Sequence, residues 1–100
     1  MENLNTKTHY LKIKPRYFDD IILNHKRFEV RKNDRDYNVG DLLILREFDK
    51  YGDYTGRDIH ARIVYILDSF TPILDYVVLG LDYIIFYPDA EFSNVSCFVL

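Results

Sequence analysis

The chain has 100 residues, of which 48% are hydrophobic, and its formal net charge is −3 at pH 7. This length predicts a single domain over residues 1–100, and the apolar content excludes a disordered chain because it can supply a packed core. The negative charge argues against indiscriminate binding to phosphates, although it leaves room for a local basic cleft.

Cysteine and histidine, the usual ligands of zinc, are scarce in the chain. Cys97 is the single cysteine, which excludes an internal disulfide, and the three histidines show no spacing typical of zinc ligands. We therefore expect no metal and no other cofactor. The first residues lack the apolar run of a signal peptide, and no stretch approaches the ~20 apolar residues of a membrane helix. These features predict a cytoplasmic protein without a membrane partner.

The first regular elements are predicted between residues 9 and 24. The segment HYLKIK alternates between polar and apolar side chains, which is typical of a strand with Leu11 and Ile13 facing inward. Pro15 suits the first turn of a helix, where a backbone N–H is not needed. Asn24 is the expected end of this short helix because asparagine tolerates the left-handed conformation. The predicted apolar face of the helix consists of Tyr17, Phe18, Ile21 and Ile22.

The next segment, RFEVRK, alternates again and predicts a second strand. We expect Phe28 and Val30 to face the core, which leaves Glu29 and Arg31 on the opposite face. Lys26 stands at the entry to this strand. Lysine, glutamate and arginine are therefore predicted to converge on the outer side of the fold, beneath the helix end. The alternative is a solvated strand face with ordinary surface ion pairs.

Further strands follow, separated by segments rich in turn-forming residues. They are LLILREF, DIHARIVYIL and YVVLGLDYII, and a hairpin is expected between the first two. One face of the long middle strand is predicted to carry Ile59, Ala61, Ile63, Tyr65 and Leu67. Gly80 in the last strand indicates a bulge or a close approach of another segment. The sequence thus predicts an α+β, mainly β fold: a small, mostly antiparallel barrel of five to six strands with one short helix at its mouth.

Two further groups of side chains are candidates for a site. Tyr54, Thr55 and Arg57 lie together at the predicted hairpin, where a hydroxyl and a guanidinium accompany a flexible glycine. His9 and Lys12 lie on the first strand. Each group also has a plain structural interpretation, as an ordinary turn and as a histidine held for packing.

The segment NHKRFEVR resembles the signature of the ASCH domains, Gly-x-Lys-x-x-Glu-x-Arg. The match falls on Asn24 (in place of the glycine), Lys26, Glu29 and Arg31. The wider chain is similar to a small bacterial and phage branch of those domains over most of residues 9–82, whereas the tail 83–100 has no counterpart. The blocks that carry this similarity are His9–Lys12, Pro15–Phe18, Arg31–Asp36, Val39–Asp41 and Tyr54–Arg57.

This resemblance implies a PUA-like barrel with a cleft between barrel and helix, lined by the signature residues. Members of the family are generally proposed to bind RNA. Some relatives with a similar lysine are amidohydrolases that act on acetylated cytidine, but they use a threonine where this chain has Glu29. That difference argues against the same hydrolase chemistry here.

Three functions stay open on the sequence alone. The first is a binding module for RNA or a nucleotide-like ligand, in which Glu29 accepts hydrogen bonds or holds the basic groups in place. The second is a small hydrolase of modified nucleosides, with Lys26 and Glu29 in proton transfer and Thr55 as a candidate nucleophile. The third is a protein-interaction or regulatory module, which self-associates through the apolar tail 83–100. The candidate ligand-binding residues are Lys26, Glu29, Arg31, Arg57, Tyr54, His9, Lys12 and Arg35.

Overall fold

A computed structural model describes residues 5–69 and 75–90 of the chain. Over these residues the backbone forms five strands and one helix. In chain order they are β1 (Thr8–Ile13), α1 (Pro15–Ile22), β2 (Phe28–Lys32), β3 (Leu42–Phe48), β4 (Tyr54–Leu67) and β5 (Tyr76–Tyr87). No helix within these two ranges is long and apolar enough to cross a membrane.

The five strands form one sheet in the order β1-β3-β4-β5-β2, which curls into a half-barrel. β1 and β3 are parallel, and the other neighbours are antiparallel. The predicted mainly β, mostly antiparallel fold with one short helix is confirmed. The sheet does not close into the predicted barrel, because β1 and β2 lie at its two edges and are not paired with each other. Arg31 on β2 bridges these edges by donating to the carbonyl of Lys12 on β1, and we call the gap between the two strands the seam.

The core lies between α1 and the inner face of the sheet. Leu11 and Ile13 of β1 are buried, as their alternation predicted, and Phe18 and Ile21 of α1 pack in the same cluster. Asn24 has a φ of 62° and ends the helical segment in the left-handed conformation, which confirms the predicted stop. The helix therefore covers the inner face with its apolar side.

The face assignment for β2 was wrong. Phe28 and Val30 are 44% and 50% exposed, whereas Glu29 is only 4% exposed. The cause is the pairing with β5, which sets Glu29 opposite Leu79, a fully buried residue, and residues opposite each other in a sheet share a face. Burial of the carboxylate is tolerated because Lys26 and Arg31 both contact it.

The predicted face of β4 holds over only part of its length. Ile59, Ala61 and Ile63 are buried, but Tyr65 is 62% exposed, and Leu67 is exposed as well. The pairing with β5 shifts register between Ile63 and Tyr65, and such a bulge moves the following side chains to the other face.

The last strand, β5, contains the predicted close approach at Gly80 and is longer than predicted. A Cβ on Gly80 would lie 3.2 Å from the Cβ of Tyr65, so this glycine marks a close approach of β4 and β5. β5 continues to Tyr87, so the tail without a counterpart begins inside the sheet. Residues 91–100, with Cys97, lie outside the described residues, and self-association through them stays a prediction.

Candidate functional site

A cleft of about 180 Å³ opens in the seam, next to the first turn of α1. We call it the seam cleft. Its walls consist of Lys12, Ile13, Lys14, Tyr17, Glu29, Val30 and Arg31. The two edges of the sheet and the helix therefore meet at the segment that carries the predicted signature.

Glu29 lies at the centre of this arrangement. Lys26 Nζ donates to Oε1 of Glu29, and Arg31 Nε donates to Oε2 at 3.0 Å. Arg31 Nη2 also donates to the backbone oxygen of Lys12 across the seam, at 2.6 Å. The structure thus brings the three signature side chains together, although on the inner side of β2 and not on the outer side.

The position of Lys26 depends on aromatic rings as well as on Glu29. Its ammonium lies 5.1 Å from the ring centroid of Phe28 and 5.6 Å from that of Tyr17. A cation near an aromatic face is attracted by the ring quadrupole, and the attraction grows when water is excluded. Lys26 is therefore held between the helix and the start of β2.

The seam cleft is locally positive although the chain is acidic. Lys12, Lys14 and Arg31 line it, against the single carboxylate of Glu29. Lysine and arginine along one cleft raise the local concentration of anions, whatever the net charge of the whole protein. Among the described residues, this cleft is a local basic patch of the kind that the negative net charge leaves possible.

Arg57 is not among the residues that line the cleft, because it lies on β4 beneath α1. Its Nε and Nη2 donate to Oε1 and Oε2 of Glu47 at 2.7 and 2.6 Å, and Nη2 also donates to Asp19 of α1 at 3.0 Å. Its guanidinium lies 4.5 Å from the ring centroid of Phe18. These contacts tie α1 to the sheet, so Arg57 positions the helix that supplies Tyr17 to the cleft.

The ionisation of this pair follows from its contacts. Hydrogen bonds from Arg57 hold the pKa of Glu47 below its ordinary value, against the effect of burial, and Thr55 adds to the lowering. Hydrogen bonding to Glu47 in turn raises the pKa of Arg57. Both side chains are therefore charged at neutral pH.

The other two hairpin candidates are also engaged with buried carboxylates. Thr55 Oγ1 donates to Glu47 at 2.7 Å, and the Tyr54 hydroxyl donates to Asp58 at 2.6 Å. Thr55 is thus a partner of the Arg57 pair. This placement gives no geometric support to Thr55 as a nucleophile beside Lys26.

His9 forms a buried pair with Asp41. The distance from His9 Nε2 to Asp41 Oδ2 is 2.8 Å, and the two side chains are 7% and 1% exposed. Burial by itself raises the pKa of Asp41, but hydrogen bonds from His9 and from the backbone amides of Lys7 and Asn38 outweigh it and leave the pKa lowered. The ring of His9 also packs on Tyr37, with centroids 4.8 Å apart. These contacts favour the structural interpretation of this histidine.

Arg35 belongs to the seam. Its Nη1 donates to the backbone oxygen of Tyr10 at 3.4 Å, next to the bond from Arg31 to the Lys12 oxygen. Both arginines thereby satisfy backbone acceptors at the outer edge of β1. Such edges otherwise present unpaired groups to other chains.

Sequence reasoning missed the main partner of Arg57 and four of the residues that line the cleft, which are Ile13, Lys14, Tyr17 and Val30. Lys14 and Tyr17 flank the proline that begins α1, so their closeness to a site at the helix mouth had a signal in the sequence. Glu47 had none, because its contact with Arg57 depends on the β3–β4 pairing, which is irregular between Arg46 and Phe48.

Within residues 5–69 and 75–90, no group of three or more His, Cys, Asp or Glu side chains is placed to hold a metal ion. The groups that the structure offers to a ligand are therefore ammonium, guanidinium, carboxylate and aromatic side chains.

Together these features define a small, mainly β domain with a curled five-stranded sheet and a charged cleft at its seam. Residues 8–81 match the model of a family described as a domain of unknown function, DUF3850, and the chain belongs to this family. It is 44% identical over 73 residues to a protein of Escherichia phage P2 described as an uncharacterized 12.9 kDa protein in the GpA 3′ region. That match covers 73% of this chain and 66% of the phage protein, so the chain spans just under two thirds of that relative's length.

Proposed function

We propose that this domain binds RNA, or a nucleotide-like ligand, in the seam cleft. The observation that carries the proposal is the meeting of Lys26 and Arg31 on the buried carboxylate of Glu29, beside two further lysines. We also propose that the half-barrel is the PUA-like fold of the ASCH domains. This rests on the signature residues, which are neighbours in space as well as in sequence.

Each side chain has a distinct role in this proposal. Lys12 and Lys14 contact phosphates, because both side chains are exposed and both residues line the cleft. Arg31 is held by Glu29 through Nε and by the backbone of β1 through Nη2, which leaves Nη1 of its guanidinium for a ligand. Tyr17, at 41% exposure, offers a ring on which a base stacks.

Single-stranded or looped RNA suits this cleft better than duplex RNA. A cleft of about 180 Å³ admits an unstacked base with its phosphate, whereas a duplex presents its backbone over a much wider surface. Glu29 then either accepts a hydrogen bond from an exocyclic amine or keeps the two cations in place.

The test measures binding to a pool of labelled 12-nucleotide RNAs at several salt concentrations, with fluorescence anisotropy as the readout. We expect binding at about 50 mM salt, and affinity that falls as salt rises because phosphate contacts release counterions. Lys14→Gln should weaken binding and reduce the salt dependence by about 0.7 in log–log slope, as for one lost contact to a single strand. Lys50→Gln, which removes an exposed lysine in the β3–β4 turn, is the matched control. Absence of binding at low salt, or equal effects of the two variants, contradicts the proposal.

A small hydrolase of modified nucleosides is the second candidate. The contact between the Lys26 ammonium and a buried carboxylate, in aromatic surroundings, favours it, because such a pair can exchange a proton. Incubation with acetylated cytidine decides it. Turnover that is lost in Lys26→Ala supports catalysis at this site, and equal turnover in both proteins rules it out.

A further inference from the structure

The outer face of the sheet carries a second group of aromatic and basic side chains. Arg46 of β3 lies between Tyr10 of β1 and Tyr54 of β4, with its guanidinium carbon 5.3 Å from both ring centroids. Tyr10 is 57% exposed, and the Arg46 side chain is 41% exposed. We call these three residues the Tyr–Arg–Tyr cluster.

Arg46 differs from the other arginines of the sheet in how its N–H groups are used. Arg31 and Arg57 donate several hydrogen bonds to protein acceptors. Among the described residues, Arg46 donates none: its Nε is buried without a partner and lies 3.8 Å from the nearest carboxylate oxygen, on Asp58. The two rings and the Asp58 carboxylate therefore hold the guanidinium in place, while its Nη1 and Nη2 groups, in a side chain that is 41% exposed, donate no hydrogen bond within the described residues. A planar guanidinium in this state is suited to a phosphate or to the edge of a base.

The charge that a ligand meets at this cluster is positive. Asp58 is the acidic partner of Arg46, but it is 2% exposed and accepts the hydroxyl of Tyr54. The exposed groups are thus an aromatic face and a cation. That combination is the one used to bind single-stranded nucleic acid by stacking, with little dependence on base identity.

Lys12 connects the cluster with the seam cleft. It lies directly opposite Arg46 in the β1–β3 pairing, it lines the cleft, and its ammonium lies 4.6 Å from the ring centroid of Phe48 on the outer face. The cations therefore continue from the cleft around the edge of β1 to the Tyr–Arg–Tyr cluster.

We propose that a single-stranded RNA held in the seam cleft continues around β1 onto the Tyr–Arg–Tyr cluster. There a base stacks on Tyr10 and Arg46 binds the adjacent phosphate or base edge. The inference rests on the proposed function, since it extends the same RNA from the cleft to a second contact.

The experiment compares anisotropy of labelled RNAs of 4 and 12 nucleotides at about 50 mM salt, where phosphate contacts are strong. The variants are Tyr10→Leu, which removes the ring but keeps an apolar side chain, and Tyr10→Phe, which keeps the ring. Tyr51→Leu is the matched control, because Tyr51 is 78% exposed and lies in the β3–β4 turn. Arg46→Gln removes the cation by a second, independent change.

We expect Tyr10→Leu and Arg46→Gln to weaken binding of the 12-mer by at least about fivefold, the lower end for loss of one stacked base. The 4-mer, which is short enough for the cleft alone, keeps its affinity in both variants. Tyr10→Phe and Tyr51→Leu bind both RNAs as the unchanged protein does. Lys14→Gln weakens binding of both lengths.

The outcomes separate the two proposals. If Tyr10→Leu and Tyr51→Leu bind the 12-mer equally while Lys14→Gln weakens both RNAs, the cluster is overturned and the cleft stands. If the unchanged protein binds neither RNA, both proposals are overturned. If a polyglutamate peptide displaces the 12-mer from the unchanged protein but not from Tyr10→Leu, the surface is a site for acidic peptides and the RNA path is overturned.

Discussion

Arg57 and Glu47 form two parallel hydrogen bonds across the β3–β4 hairpin, from Nε to Oε1 at 2.7 Å and from Nη2 to Oε2 at 2.6 Å. Glu47 is 3% exposed, and Arg57 reaches on to Asp19 in α1. A carboxylate so buried is stable as an anion because the guanidinium faces it with fixed geometry. The pair thus holds the helix that forms one wall of the seam cleft.

Replacement of Arg57 by methionine should destabilise the fold. We expect Arg57→Met to lower the free energy of unfolding by about 2–4 kcal/mol, because Glu47 is left buried without its cation. The loss is smaller than for a fully buried ion pair, because Arg57 is partly exposed. Urea unfolding measures this. Arg27→Met is the control, since its partner Asp82 is 52% exposed, and such surface pairs contribute less than about 1 kcal/mol. Equal losses in the two variants would show that the buried pair is not the anchor of α1.

The same pair should make stability depend on pH. Glutamate titrates near 4.5 in the unfolded chain, and the hydrogen bonds from Arg57 lower the pKa of Glu47 in the folded state. The folded state therefore binds the proton more weakly, so this contribution is fully present above about pH 4.5 and is lost as the pH falls through the folded pKa. Asp41, with its lowered pKa, acts in the same direction below its ordinary value of 3.8.

We expect the free energy of unfolding to decrease as the pH is lowered from about 5 to about 3, and to decrease less steeply in Glu47→Gln. Urea unfolding at several pH values over this window gives both slopes. A slope as steep in Glu47→Gln as in the unchanged protein would assign the pH dependence to other carboxylates.

The exposure of the apolar residues on β2 leads to a further prediction. Val30→Thr should change the free energy of unfolding by less than about 0.5 kcal/mol, because Val30 is 50% exposed at the edge of the sheet. Leu79→Ala, opposite Glu29 on β5, should lower it by about 2–5 kcal/mol, because Leu79 is fully buried. A large loss in Val30→Thr would mean that the outer face of β2 is covered by another part of the chain or by a partner.

β2 also shows which features a sequence determines. The alternation of β1 predicted its inward face because Leu11 and Ile13 are followed directly by the helix that covers them. The same pattern failed in β2, where two apolar side chains compete with Glu29 for the inner face. The outcome depends on distant partners: Leu79 opposite the strand, and the two cations that neutralise the carboxylate.

The candidate site likewise has a part that could be predicted from the sequence and a part that could not. The closeness of Lys26, Glu29 and Arg31 could be predicted, since six residues at a helix end and a strand start cannot spread far apart. The separate position of Arg57 and Thr55 could not, because it depends on the pairing of β3 with β4. Short-range spacing therefore predicted which site residues lie close together, whereas the face of β2 and the position of Arg57 depended on strand pairing.

The role of Glu29 in the seam cleft can be tested by removing its charge while keeping its shape. In Glu29→Gln the cleft gains one positive charge close to Lys14 and Arg31. We expect inorganic tripolyphosphate to bind about threefold to tenfold more tightly at low salt, as one charge at several ångströms is worth on the order of 1 kcal/mol near a protein surface. Asp53→Asn removes an exposed carboxylate in the β3–β4 turn and is the matched control.

Isothermal titration calorimetry at about 20 mM and about 300 mM salt separates the effect of charge on affinity from the effect of side-chain shape. Added salt screens the electrostatic contribution and leaves the contribution of shape unchanged. If Glu29 also accepts a hydrogen bond from a base, Glu29→Gln should bind tripolyphosphate more tightly but cytidine-containing RNA less tightly, since a neutral amide oxygen accepts from the exocyclic amine more weakly than the carboxylate does. If Glu29 only holds Lys26 and Arg31 in place, both ligands gain affinity together. Unchanged binding of tripolyphosphate would show that the anion does not enter the seam cleft, because a charge so close cannot leave an anion there unaffected.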